Sequence, residues 1–305
     1  MTPSPTNNAS DSVKILDDPK NKPVDAVQNG SSNPADLETK KAEENIPIFK
    51  AKDHATEFDP IEYLEGFYVS HKEDGAMQTV LFFLPGILYR LPDKVETLLD
   101  LGAGPTVYIP IAVRHRAKNV FTSDYAQGWI QGESKFDWTS ICKWLANIES
   151  TSESPEEMIK EARKNMRAVL KVNVHEDQVI QDVEFKMDSV VIPKQFDVVT
   201  CIFCLEYAGE TLKEFKKAVK GATSLIKPGG YLIQGGVLHA DEYGFGGKRF
   251  SSHPLTREQL VNALAENGMC TTDNHPDFRL IINLEVFLLF SKRRCEFHTQ
   301  ACIEV

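Results

Sequence analysis

Strand-length apolar runs alternate along this chain with segments of helical period, and that alternation restricts the folds open to it. Apolar runs at Thr97–Leu101, Asn119–Ser123, Leu170–Val174, Phe196–Phe203, Tyr231–Leu238 and Asn283–Phe290 are each of strand size. Between them lie predicted helices at Val107–His115, Trp138–Ile148, after Ser154-Pro155-Glu156-Glu157, at Glu210–Ile226, and from the Thr256-x-x-Gln259 capping box to Asn267. Leu212, Phe215, Val219, Ala222 and Ile226 share one helical stripe, the 3.6-residue period of an amphipathic helix. Strands separated by such helices pack as a mostly parallel, doubly wound α/β sheet. Pro60–Val69 and Ala76–Tyr89, the second interrupted by Pro85-Gly86, predict a helical cap on the N-terminal side. Lys227-Pro228-Gly229-Gly230 reads as a helix stop and turn.

Composition narrows the functional classes. The chain has 305 residues, 42% hydrophobic and 26% charged, with a formal net charge of −10. Such a surface repels phosphates and argues against nucleic acid as a partner. No run approaches the ~18 apolar residues of a membrane span, and the N-terminus lacks a signal-peptide core. Residues 1–50 contain no aromatic before Phe49 and are rich in Ser, Asn, Pro, Asp and Lys. They read as a disordered extension, followed by one domain at 51–294 and a tail at 295–305. The six cysteines include Cys201-x-x-Cys204 inside an apolar run, which reads as core thiols rather than a redox or zinc pair. A reduced, cytoplasmic, monomeric protein without a metal is the expectation.

The candidate site lies at the ends of the first two strands of the alternation. In Leu98-Leu99-Asp100-Leu101-Gly102-Ala103-Gly104-Pro105-Thr106 a strand runs into glycines that let backbone N–H groups approach a ligand. A dinucleotide fold calls for GxGxxG, but Pro105 follows the second glycine and Val107 holds the third position. That counts against a nucleotide-dependent oxidoreductase, and Asp100 suits a cofactor with an amino-acid end carrying a cation. Asp124 ends the second strand, 22 residues after Gly102, where a carboxylate can accept from both hydroxyls of a ribose.

These motifs, with Tyr63-Leu64-Glu65-Gly66-Phe67-Tyr68, Phe136-Asp137-Trp138, Phe203-Cys204-Leu205-Glu206, Phe250-Ser251-Ser252 and Gly102-x-Gly104-Pro105-Thr106-x-Tyr108, resemble the small-molecule N-methyltransferases. That family includes the nicotinamide, phenylethanolamine and indolethylamine enzymes, and the resemblance runs from Phe58 to Lys292. It implies a seven-stranded class I methyltransferase sheet, S-adenosylmethionine as cofactor and a small amine or pyridine such as nicotinamide as substrate. It implies that Tyr63 and Tyr68 close over the cofactor. Gly102, Gly104, Thr106 and Tyr108 would line its methionine end, Asp124 and Tyr125 its ribose, Asn173 and Val174 its adenine, and Ile202 would lie beneath it. Tyr207, Gly236, Tyr243 and Ser252 would line the acceptor pocket. The nicotinamide enzyme has Asp where this chain has Gly236 and Ser where it has Ala240, whereas Gly236 matches the phenylethanolamine enzyme. Asp241 and Glu242, with Glu206 as a further candidate, are the acids that could hold or deprotonate an amine. Two departures stand out: the segment 125–135 is shorter than the family's, with Trp129 where a helix normally packs on the cofactor, and the tail runs past the usual end. The first leaves a catalytically weak relative as an alternative.

Overall fold

The structure, a computed structural model, describes residues 46–69, 75–126 and 136–295. The expectations for 1–45, for the shortened segment with Trp129 and for the tail beyond Cys295 lie outside the described residues. Numbered along the chain, the strands are Ile48–Phe49 (β1), Val95–Leu101 (β2), Ala117–Asp124 (β3), Met166–Val172 (β4), Ile180–Lys186 (β5), Phe196–Ile202 (β6), Ile226–Val237 (β7), Glu242–Phe245 (β8), Lys248–Ser251 (β9), Phe278–Asn283 (β10) and Val286–Lys292 (β11).

Leu98, Leu99, Val198, Val199, Leu232 and Ile233 are all buried, and strands buried on both faces must lie in the middle of a covered sheet. The observed order is β10-β11-β7-β6-β2-β3-β4-β5. The pairs β2–β3, β2–β6, β3–β4 and β6–β7 are parallel, while β11 runs against both β7 and β10. The chain starts at β2, winds outward through β3 and β4, then returns to the other side of β2 with β6. The switch point therefore lies between the carboxyl ends of β2 and β6, where ligands of such sheets bind.

Each face of the sheet has its own apolar cluster. On one side Leu84, Ile87, Ile109, Ile141, Leu145 and Met158 come from helices Gly75–Leu88, Tyr108–Ala112, Thr139–Glu149 and Pro155–Asn165. On the other, Phe215, Val219, Leu260 and Leu264 come from helices Leu212–Ser224 and Arg257–Glu266. The capping boxes at Ser154, Thr211 and Thr256 form as their S/T-x-x-E/Q spacing requires.

Several local expectations are corrected. Gly75–Leu88 is one continuous helix through Pro85-Gly86, because Leu84, Ile87 and Leu88 are buried on either side of the break. Lys227-Pro228-Gly229-Gly230 does not end a helix. That helix stops at Ser224, and the four residues form an irregularity within β7, where the register against β6 shifts. The expected seven strands are joined by an eighth, β5, an edge strand pairing antiparallel with β4. It is mostly exposed, so no apolar run announces it.

A second, three-stranded sheet, β1-β9-β8, was not foreseen. Gly246 and Gly247 have φ of 57° and 70°, the conformation a two-residue hairpin turn between β8 and β9 requires. β1 pairs parallel with β9, Ile48 opposite Arg249 and Phe49 opposite Phe250. Residues 46–50 thus belong to the folded unit, and the boundary drawn after residue 50 falls several residues too late. Two residues are too short a run to register as a strand by periodicity.

Candidate functional site

The carboxyl ends of β2, β3, β4 and β6 open onto a cavity of about 670 Å³, large enough for a cofactor and a small acceptor together. At its floor, β2 runs into Gly102 and Gly104, with φ of 70° and 55°, a left-handed conformation that favours glycine. A Cβ on Gly102 would lie 2.2 Å from the Cys204 sulfur, so the turn after β2 has no room for a side chain at 102 against the segment that follows β6. Thr106, buried, donates to the Ala103 carbonyl at 2.8 Å and closes the turn.

Asp124 ties the ends of β2 and β3 together. Its two carboxylate oxygens accept from the N–H groups of Gly104 at 2.7 Å and Ala126 at 2.8 Å. The carboxylate keeps acceptor capacity beyond these bonds and lines the cavity, where a ligand hydroxyl can reach it. Burial raises its pKa above the ordinary carboxylate value, against the three backbone N–H groups that favour its charge.

Asp100 is the most exposed to consequence. It is 2% accessible, and its Oδ1 accepts from the Thr200 hydroxyl at 2.8 Å. Its Oδ2 is buried without a hydrogen-bond partner, although the residue lines the cavity. Burial, opposed by the Thr200 bond and reinforced by Asp124, pushes its pKa from 3.8 to about 7. A buried carboxylate oxygen with no donor calls for one to arrive with a ligand, and the ammonium of an amino-acid moiety supplies it. The residues present fit S-adenosylmethionine on this observation.

Most of the expected site residues converge here. Tyr63, Tyr68, Gly102, Gly104, Thr106, Tyr108, Asp124, Tyr125, Asn173, Val174 and Ile202 all line the cavity, as do Tyr207, Glu242 and Tyr243. Asn173 accepts from the His175 N–H at 3.0 Å, which curls the chain after β4 toward the cavity. Phe58, Tyr63 and Phe67 meet with centroids 5.0 Å apart, and Phe245 packs edge-on to Tyr63. This aromatic wall faces the cavity through Phe58, Tyr63, Phe67 and Tyr68, an arrangement that favours a cationic ligand.

Four expected residues sit differently. Asp241 is exposed and outside the lining, because its side chain leaves the hairpin on the solvent side. Glu242 reaches the lining, but its carboxylate is engaged by the Arg249 guanidinium, Nε at 2.9 Å. The Ser252 hydroxyl donates to the Ala240 carbonyl at 2.9 Å and does not line the cavity. Gly236 does not line it either. A Cβ there would lie 2.3 Å from Oε1 of Glu206, so the Glu206 carboxyl fills the space that a side chain at 236 would take. Glu206 is 2% accessible, its Oε1 accepts from the Val237 N–H at 3.2 Å, and its Oε2 has no partner. Burial raises its pKa from 4.5 to about 8. The carboxyl absent at 236 is thus present from the neighbouring strand end, directly behind Val237, which lines the cavity.

His54, Phe58 and Phe67 were missed as site residues. Phe58 marked only the start of the resemblance, Phe67 only a motif position, and nothing in the local pattern sets His54 apart. Cys201 is a buried core thiol of β6, and Cys204 follows the strand at the cavity wall. The described cysteines are all free.

Comparison with known proteins agrees with this geometry. The model of the NNMT/PNMT/TEMT family matches residues 46–294. The nicotinamide N-methyltransferase of Caenorhabditis elegans is 49% identical over 271 residues, 86% of this chain and 97% of the relative. The human nicotinamide N-methyltransferase is 28% identical over 233 residues, 72% of this chain and 85% of the relative. The phenylethanolamine N-methyltransferase of Macaca mulatta is 28% identical over 181 residues, 57% of this chain and 62% of the relative.

Proposed function

The chain belongs to the NNMT/PNMT/TEMT family, and on that premise we propose that it transfers the methyl group of S-adenosylmethionine to the nitrogen of a small pyridine or amine, nicotinamide foremost. The observation that carries this reading is the partnerless Oδ2 of Asp100 beside the glycine turn and Asp124, under an aromatic wall. The 49% identity to a nicotinamide N-methyltransferase supports nicotinamide as the first acceptor to test.

S-adenosylmethionine supplies, when bound, a methyl on a positively charged sulfur that a nitrogen lone pair can take in line. The residues need only bind and orient. Asp100 holds the amino-acid end through its free oxygen, and Asp124 the ribose hydroxyls. Asn173 and Val174 lie where the adenine reaches the end of β4, and Ile202 forms the floor. Phe58, Tyr63, Phe67 and Tyr68 exclude water and favour positive charge, whether it resides on sulfur or on a methylated pyridine. Such positioning supplies on the order of 7–11 kcal/mol of barrier lowering. A pyridine nitrogen has a free lone pair and needs no base. An amine arrives protonated and must lose a proton first. Glu206, its carboxyl pushed up to about 8 by burial and its Oε2 unpartnered, is the candidate for that from behind the lining residue Val237, since Asp241 is exposed and Glu242 is held by Arg249.

The reading is of a cytoplasmic monomer that acts on small molecules and binds neither nucleic acid nor membrane. It is supported by the net charge of −10 and the free described thiols. Among the described residues no helix is long and apolar enough to cross a membrane. The test is the initial rate of methyl transfer to nicotinamide, quinoline, phenylethanolamine and tryptamine at saturating S-adenosylmethionine. Transfer to none of the four overturns the reading.

A further inference from the structure

The wall of the cavity opposite the glycine turn carries a residue pair that no motif of the chain announces. His54 Nδ1 lies 2.8 Å from the Ala51 carbonyl oxygen, and its Nε2 lies 2.8 Å from the Tyr243 hydroxyl. A carbonyl only accepts, so Nδ1 carries the proton of the neutral ring. Burial holds the imidazole's pKa below its ordinary value, which keeps the ring neutral near pH 7. Nε2 is then an acceptor, and the Tyr243 hydroxyl must donate to it. Tyr243 is itself held as the neutral phenol, since burial raises its pKa. The bond to His54 is the hydroxyl's single hydrogen bond among the described residues. The phenolic oxygen therefore keeps a lone pair, and both residues line the cavity.

The pair is held from two sides. The His54 ring stacks on Phe250 with centroids 4.4 Å apart and on Tyr243 at 5.9 Å. In the β8–β9 hairpin, Tyr243 lies opposite Phe250, and β1 secures the segment before His54 against Phe250. Asp53 and Glu210 are the charged groups that act on the ring, Glu210 also accepting from the Ala51 N–H at 2.6 Å.

We propose that His54 is a positioning residue which fixes the polarity of the acceptor pocket. By accepting the Tyr243 O–H hydrogen bond it leaves the phenolic oxygen facing the cavity as a hydrogen-bond acceptor. Acceptor substrates that bring an N–H donor to this point, such as a carboxamide or an ammonium, are selected over isosteres that lack one. The proposal rests on the functional reading above and adds to it the group that discriminates between acceptors.

The test uses full-length wild type, His54→Leu and His54→Gln. A glutamine oxygen can accept from Tyr243 in place of Nε2, and leucine cannot. KM and kcat are measured with nicotinamide and with 3-acetylpyridine, which keeps the ring and carbonyl but replaces the amide NH2 by a methyl. Nicotinamide binding is also measured by calorimetry on protein saturated with S-adenosylhomocysteine. Leucine is expected to raise the KM and the dissociation constant for nicotinamide about five- to tenfold, the weight of one neutral hydrogen bond. Its kcat and its KM for 3-acetylpyridine should stay within about twofold, and glutamine should restore the preference for nicotinamide. Equal losses on both pyridines, an unchanged nicotinamide KM in His54→Leu, or no restoration by glutamine would overturn the inference while leaving the methyltransferase reading intact. Failure of the wild type to methylate either pyridine and the amines above would overturn that reading and the inference with it.

Discussion

Asp100→Asn should make the protein more stable and the cofactor bind less well. Asp100 is 2% accessible with one oxygen unpartnered, and its pKa rises from 3.8 to about 7 on burial. The sign follows from linkage. An acid with a raised pKa in the folded state is favoured protonated there. Its unfavourable contribution is absent below pH 3.8, grows as the pH rises toward 7, and is complete above it. About three pKa units correspond to about 4 kcal/mol. Asparagine keeps an oxygen for the Thr200 hydroxyl and removes the charge. For a domain of this size, about 4 kcal/mol corresponds to a rise in Tm of roughly 10 °C at pH 8. At pH 5.5 the same arithmetic leaves about 2 kcal/mol, so the gain should roughly halve. The variant also loses the proposed charge-assisted partner for the ammonium, worth about 1.5–3 kcal/mol, and its affinity for S-adenosylmethionine should fall at least about tenfold. Thermal melting of apo wild type and variant at the two pH values, with calorimetric titration of cofactor at pH 8, reads all three quantities. A variant no more stable than wild type at pH 8, or a gain that does not change with pH, would refute the claim that the fold tolerates this charge for the sake of its ligand.

Three other outcomes follow from the same site. Asp124→Ala removes the proposed ribose acceptor and the bonds to Gly104 and Ala126, so calorimetry should show at least about a tenfold loss of S-adenosylmethionine affinity; unchanged affinity would remove the ribose assignment. Deleting residues 1–45 should leave Tm and cofactor affinity unchanged, whereas deleting 1–50 removes β1, which pairs with β9, and should lower the Tm and raise the acceptor KM. Identical behaviour of the two truncations would show that β1 contributes nothing. Glu206→Gln should slow turnover of phenylethanolamine several-fold more than that of nicotinamide, because only the amine must lose a proton, and Asp241→Asn should leave both rates within about twofold. The reverse pattern would return the role to the hairpin acid.

That the residues proposed for the cofactor line one cavity was legible because each of the features involved is local. A buried parallel strand is a continuous apolar run, and a glycine turn at its end is a contiguous motif. Asp100 and Asp124 stand at strand ends, where any doubly wound sheet presents side chains to the ligand. The acceptor half was only partly legible. Tyr207 and Tyr243 came from resemblance, and both line the cavity, but the resemblance carried no geometry. It could not say that Asp241 leaves the hairpin outward, that Arg249 holds Glu242, or that the Ser252 hydroxyl turns to Ala240. β5 and the small sheet escaped notice because an exposed edge strand and a two-residue strand bury too few apolar groups to leave a periodic trace.

The sequence by itself determined the winding of the sheet, its two buried faces and the carboxylates at the ends of β2 and β3, since apolar period and strand-end position are properties of contiguous residues. The tertiary structure alone decided the acceptor pocket. His54 meets Tyr243 across 189 positions of chain, and Glu206 fills the space behind Gly236 from 30 positions away. Such contacts depend on the register of a hairpin and the seating of an N-terminal strand. These are set by the packing of Phe250, Phe245 and the sheet beneath them, and no local pattern encodes them.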